Sequence, residues 1–305
     1  MHYSLRSLVV GWFAAVLIGS LLACGGDSTT TPPGSAHLYS ATGNEVFQLA
    51  LPLKSTSTPT VTVTSASINN ASAVAVDANG NVAVGDASGN ITILNAPITN
   101  SSTPSATFKN GTATSVAHLT FNSAGDLFAT TFSNTVNVFT HPFSSASTPS
   151  QVITDVSLAL TVGVALDSNR NLIVANGSNI GRSNLSVFAP PYTAAPIVTA
   201  VAPGADYRHM AINSTQLFVV TSLPGVNGVD VYNLPITAAS TPAFLFTSGI
   251  FNGPRTPNGI ALDGSGNVLV GHDSGIAVFS PPFSSASDAN LDFRGVPGAA
   301  IAIGK

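Results

Sequence analysis

The 305-residue chain contains one cysteine and one glutamate, and only 7% of it is charged. A soluble domain usually carries about 25% Asp, Glu, Lys and Arg. With 9 Lys and Arg against 13 Asp and Glu, the formal net charge is −4. That balance lacks the clustered cations a protein sets against phosphates, so no nucleic-acid partner is expected. The 44% hydrophobic content excludes the low-hydrophobicity, high-charge composition of disordered chains. A single thiol permits no intramolecular disulfide, so stability must rest on burial and backbone pairing. The sequence holds no G-x-S-x-G, H-E-x-x-H or C-x-x-C motif and no P-loop, the local signatures of common nucleophile, metal and phosphate sites. Beyond residue 35, no stretch shows helical periodicity with caps.

What is present begins with an address. Arg6 supplies a positive start, and Leu8 to Leu22 form an uncharged, largely apolar run. That run is shorter than the about 20 residues needed to span a bilayer, and residues 1–23 read as a secretory signal. It ends in Leu21-Leu22-Ala23-Cys24, which places the one cysteine directly after a small residue. This resembles the lipobox of bacterial lipoproteins. The resemblance implies cleavage after Ala23 and a covalent lipid on Cys24, with no other cofactor expected. The alternative is an ordinary cleaved signal with an incidental cysteine. Gly25, rather than Asp, follows the cysteine. By the sorting rule of double-membraned bacteria this implies a lipid-anchored protein of the cell envelope, at the outer membrane. Residues 24–35 continue as a Gly/Ser/Thr/Pro tether that cannot build a core.

Residues 36–305 repeat. One marker is a hydrophobic or small residue, proline, an apolar residue, and a polar stretch that often ends in a second proline. It occurs at Leu51-Pro52-Leu53, Ala96-Pro97-Ile98, His141-Pro142-Phe143, Pro190-Pro191-Tyr192, Leu234-Pro235-Ile236 and Pro281-Pro282-Phe283. The first prolines are 45, 45, 49, 44 and 47 residues apart. Upstream of the markers lie paired apolar strands around a polar turn, at 73–86, 118–131, 163–176, 209–222 and 259–272. A third strand precedes each proline, and a weaker fourth follows the second proline, as in SATF, SQVI and AFLF. Alternation, β-branched residues and Asn-Gly or Ser-Gly turns mark hairpins.

Four short antiparallel strands per unit of about 45 residues predict a propeller blade. Residues 36–305 number 270, six such units. The terminal AAIAIGK matches the first strand of a unit, and HLYSATGNEVFQLALP matches its second and third. The expectation is an all-β, six-bladed propeller whose C-terminal strand completes the N-terminal blade and removes an open sheet edge. A β-solenoid or a pair of sandwiches is the alternative; solenoid rungs are shorter, and sandwiches would not repeat six times in register.

Pro257-Asn258-Gly259-Ile260-Ala261-Leu262-Asp263, followed by Gly266-Asn267-Val268-Leu269-Val270, resembles the NHL repeat, with weaker copies at 73–86 and 163–176. The resemblance implies a six-bladed propeller and leaves function open, because such propellers host binders, scaffolds and enzymes. The copies at 118–131 and 209–222 depart from it, with Asn122 and Asn213 in place of the turn aspartate.

The turns starting at Asp77, Asp167 and Asp263 carry alternating oxygen side chains, as a hard cation requires. They lack a glycine at the sixth position and a Glu at the twelfth. Tight hairpins need the same residue types, and turn chemistry is the favoured reading. Aligned on the turn, one inner-strand position is Ala73, His118, Gly163, His209, Gly259 and Ala300. His118 and His209 are therefore candidate ligand contacts at one channel mouth, or else residues bonded to channel water and backbone. Arg208, Arg255 and Asn258 precede inner strands on the same face and are candidate contacts for an anionic or sugar ligand, or ties between blades. No catalytic residue and no metal ligand is assigned.

Lactonase-like and regucalcin-like propellers hold a divalent cation through Glu, Asn and Asp. Here Glu45 falls in the first blade's third strand, away from the channel. The serine-rich segments around Ser144 and Ser284 read as solvated loop filler. Three functions stay open: a non-enzymatic module that binds an envelope protein or glycan, a metal-dependent hydrolase or lyase centred on His118 and His209, and a structural envelope protein.

Overall fold

The computed structural model describes residues 36–177, 182–203, 205–223, 226–251 and 256–304. The described residues form strands and a single 3-10 turn at Gly249–Phe251. The first blade holds β1 (His37–Thr42), β2 (Glu45–Ala50) and β3 (Val61–Thr64). The second holds β4 (Ala71–Val76), β5 (Val82–Asp86), β6 (Asn90–Leu94) and β7 (Ala106–Lys109). The third holds β8 (Leu119–Phe121), β9 (Leu127–Thr130), β10 (Thr135–Phe139) and β11 (Gln151–Thr154). The fourth holds β12 (Thr161–Leu166), β13 (Leu172–Asn176), β14 (Arg182–Phe188) and β15 (Val198–Pro203). The fifth holds β16 (Tyr207–Ile212), β17 (Gln216–Leu223), β18 (Val226–Asn233) and β19 (Phe244–Phe246). The sixth holds β20 (Pro257–Leu262), β21 (Val268–His272), β22 (Gly275–Phe279) and β23 (Leu291–Phe293).

The last strand, β24 (Ala300–Gly304), returns to the first blade and pairs antiparallel with β1, from His37 opposite Gly304 to Ala41 opposite Ala300. Six antiparallel four-stranded sheets thus close into a ring, with β4, β8, β12, β16, β20 and β24 packed around its axis. Closure leaves the first blade with the same four-strand order as the others.

The repeated sequence elements act at the same places in successive blades. The first proline of every marker sits in a cis peptide bond. The apolar residue after it packs into the cluster of the preceding blade. Ile98 joins Tyr39, Val46 and Val63, and Ile236 joins Leu185, Val187 and Ala200. Phe143 stacks on Phe108 at 5.8 Å between ring centroids, and Phe283 on Phe246 at 5.9 Å. Tyr192 meets Phe128 edge-on at 5.6 Å. The marker is an interblade hook, which explains why it recurs once per blade.

The turn residues are equally local in their work. Asp77 Oδ1 accepts from the amides of Asn79 and Asn81, and Asn81 Nδ2 donates to Oδ2. Asp167 and Asp263 repeat the arrangement. Asn122 forms the same turn with acid and amide exchanged, accepting from the Ala124 and Asp126 amides while its Nδ2 donates to Asp126. Asn213 accepts from the amides of Thr215 and Gln216. Hairpin chemistry, not calcium ligation, occupies these oxygens.

The serine-rich segments are exposed loops, as expected, and their hydroxyls are hydrogen-bonded within four-residue turns. Ser147 Oγ accepts from the Ser144 amide at 2.9 Å while the Ser147 amide donates to the Ser144 carbonyl. Ser57, Ser102, Ser240 and Ser287 make the same pair of bonds. Small hydroxyls are needed there to satisfy backbone groups in a four-residue turn.

Candidate functional site

Inner strands begin at one end of the ring, and in four blades they begin with an irregularity. Register shifts lie between Ala71 and Ala73, Thr161 and Gly163, Tyr207 and Met210, and Pro257 and Ile260. An extra residue in a strand re-aims side chains and commonly sits beside functional sites. Here the shifts fall at the channel mouth. Ser72, Ala117, Val162, Arg208, Asn258 and Ala299 contribute one residue per blade to a cup of about 200 Å³, completed by Ala71, Phe132 and His209.

His209, which lines this cup, stacks on His118, which lines the next cavity along the axis. Two blades apart in the chain, their rings stack at 4.7 Å between centroids with 29° between planes. Gly163 lies on the intervening blade, where a Cβ would stand 2.6 Å from the Arg208 carbonyl oxygen; a side chain there would force the neighbouring inner strand away. The Val164 amide donates to His118 Nδ1 at 3.1 Å, so the His118 proton sits on Nε2. His209 Nε2 donates to the Ala117 carbonyl at 2.8 Å. Below the pair the channel continues as a chamber of about 90 Å³, walled by Val74, Val164, Met210, Ile260 and Ile301 among others. The two imidazoles lie between these cavities, His209 lining the cup and His118 the chamber.

Burial, with help from His209, pushes the His118 imidazole well below its ordinary 6.5. Burial also lowers His209 to about 4, against the Ala117 bond and assisted by the Arg208 charge. Both rings are neutral at neutral pH.

Arg208 is the cup's one cation. Its Nη2 lies 3.6 Å from Asp206 Oδ2, and its buried Nε has no hydrogen-bond partner among the described residues. Asn258 Nδ2 donates to Asp273 at 2.9 Å, and Ser72 Oγ to the Val116 carbonyl at 2.6 Å. Of the residues singled out in the sequence, His209, Arg208 and Asn258 thus line one mouth, and His118 stacks on His209 from the adjoining chamber. Arg255 and Cys24 lie outside the described residues.

Phe132 is the residue sequence reading missed. It occupies the turn between β9 and β10 at φ 55°, 44% exposed. An aromatic in a tight turn between polar neighbours was the available signal; it occurs in one blade only, so repeat alignment hid it.

The arrangement does not fit a divalent cation. Neither chamber's lining includes a carboxylate. The ring nitrogens His118 Nδ1 and His209 Nε2 are spent on backbone, and stacked rings direct their in-plane lone pairs side by side rather than to one point. Among the described residues no three His, Cys, Asp or Glu side chains cluster. Glu45 stands at the start of β2, paired with Thr42 and Thr64, away from the axis.

The sequence matches no protein-family model and no curated protein. Solved structures do match. A provisionally assigned 6-phosphogluconolactonase from Bacteroides uniformis aligns over 85% of this chain and 82% of its own, at 13% identity and TM-score 0.60. A protein of unknown function from Bacteroides caccae aligns over 89% of this chain and 100% of its own, at 9% identity and TM-score 0.61. A chain of the mitotic checkpoint complex aligns over 77% of this chain and 69% of its own, at 16% identity and TM-score 0.54. At such identities the likeness is one of fold, and it places this chain among β-propellers.

Proposed function

We propose that this chain is a lipid-anchored, non-enzymatic binding module of the bacterial cell envelope, holding a carboxylate-bearing envelope ligand in the cup at the channel mouth. The observation that carries the reading is the lone guanidinium of Arg208 in the cup. Arg208 is the cup's one cation, and its buried Nε has no hydrogen-bond partner among the described residues. A guanidinium with free donors in a partly desolvated recess favours a carboxylate, which it can engage through two parallel bonds. The signal-like residues 1–23, the Ala23-Cys24 pair, Gly25 and the tether support export and anchoring at the outer membrane.

One experiment tests both halves. Full-length chains are expressed in the native host and cross-linked, and what they capture is quantified. Cys24→Ser is expected to leave the membrane fraction. Arg208→Ala is expected to stay there, melt like the wild type, and capture about tenfold less or lower still, the scale of a lost charge-assisted bond. Membrane retention of Cys24→Ser would refute the anchor, and undiminished capture by Arg208→Ala would remove this face from consideration.

A further inference from the structure

Beside the cup, a groove of about 610 Å³ runs between the second and third blades, and Phe132 lines both. Its size falls within the roughly 300–1,000 Å³ of ligand pockets. We propose that cup and groove form one site for an acidic oligosaccharide, with neutral sugar units along the groove, Phe132 as the stacking platform, and a carboxylate at Arg208. This rests on the cup being the binding mouth, and adds the ligand class and a second subsite.

Three observations converge. The first is the chemistry of the groove wall. It mixes hydroxyls and amides, including Thr112, Thr114, Ser115, Ser133 and Asn134, with the apolar Ala113, Pro149 and Val152, and has no charged side chain. Such a wall offers donors and acceptors together, as a ring of sugar hydroxyls requires. A nucleic acid would need cations, and a peptide helix would need a continuous apolar stripe; the groove has neither.

The second is the aromatic itself. Phe132 is the exposed aromatic among the large exposed hydrophobics, and it lines both cavities. An exposed ring face is where the C–H face of a sugar stacks.

The third is that the backbone carrying the ring is held in place. The Phe132 amide donates to the Thr161 carbonyl at 3.1 Å, and the Thr161 amide donates to the Ser133 carbonyl at 2.7 Å. The Thr131 and Ser133 hydroxyls meet at 2.6 Å. These bonds pin a left-handed backbone that a bulky residue seldom adopts. A platform fixed before the ligand arrives loses little entropy on binding.

The test is equilibrium binding of the full-length chain, in detergent, to three probes: a free hexuronic acid, a short neutral oligosaccharide, and the same oligosaccharide ending in a hexuronic acid. The acid-ended oligosaccharide is expected to bind at least tenfold tighter than either of the others. Phe132→Ala is expected to cost about tenfold on that probe and nothing on the free acid, with Phe132→Tyr restoring affinity. Arg208→Ala is expected to abolish the advantage of the acid end. Equal affinity for free acid and acid-ended oligosaccharide would overturn the groove while leaving the cup. Binding of the acid-ended probe undiminished by Arg208→Ala would overturn the cup. Phe132-dependent binding of an acidic peptide in place of the sugars would overturn the ligand class alone.

Discussion

Asp230→Asn is expected to stabilise the propeller above pH 7 by about 3 kcal/mol and to raise its melting temperature by about 6–12 °C. Asp230 lies in β18, buried between the ladders to β17 and β19. Burial raises its carboxyl from 3.8 to about 6, against a hydrogen bond from Tyr207 that favours the ionised form. The hydroxyls of Tyr207 and Tyr232 are bonded to each other. Burial lifts the Tyr207 phenol, and lifts Tyr232 to about 12, so both stay protonated. The folded state binds the Asp230 proton more tightly than the unfolded chain does. Its contribution is therefore complete below about pH 4 and lost as pH rises through about 6. The shift of about two units corresponds to the stated energy at 1.36 kcal/mol per unit. Calorimetry at pH 4 and pH 8 checks this. The variant should gain at pH 8 and match the wild type at pH 4. No gain at pH 8 would contradict the burial argument.

The channel histidines run in the opposite sense. Their folded pKa values are depressed, so their contribution is complete above about 6.5 and is lost as pH falls through the folded values. For His209, at about 4, the loss across that window is about 3 kcal/mol, and His118 adds to it in the same direction. A protonated His118 would have to give up the Val164 amide, because Nδ1 is its acceptor. The double variant His118→Gln with His209→Gln keeps an acceptor and a donor in the same places without a titrating ring. Urea unfolding at pH 7, 5 and 4 is expected to show a steep acid loss in Asp230→Asn chains. It should be shallower in the wild type, where Asp230 partly offsets the histidines. In a chain carrying both glutamines and Asp230→Asn, the loss should shrink to the small part that Asp288 and Asp292, whose carboxyls are held below their ordinary values, contribute near pH 4. A steep loss that persists between pH 7 and 5 in that chain would place the titration elsewhere.

The contrast between what was legible and what was not follows from repetition. The cis-Pro hooks and Asp or Asn turns solve the same local problem in successive blades, so six blades and the closing strand were readable from spacing. Even the departures at Asn122 and Asn213 form the turn, because a side-chain carbonyl accepts amides as a carboxylate does. Alignment placed His118 and His209 on one level but not in contact, since stacking depends on ring closure and on the space above Gly163. Phe132 and Asp230 occur once each, and periodicity averages out what is singular. In sequence, Val229-Asp230-Val231 puts Asp230 on a strand's polar side; in a propeller that side is covered by another blade. The serines of 144–147 looked like filler because their role is a bond to backbone two or three residues away.

The most direct test of ligand capture at the mouth is photocrosslinking in the native host. A photoreactive phenylalanine analogue is placed in turn at Phe132, beside the cup, and at Ser145, an exposed turn at the opposite end of the third blade. The account predicts a discrete adduct from position 132 and none from position 145. An adduct from 145 alone, or none from 132, would contradict it.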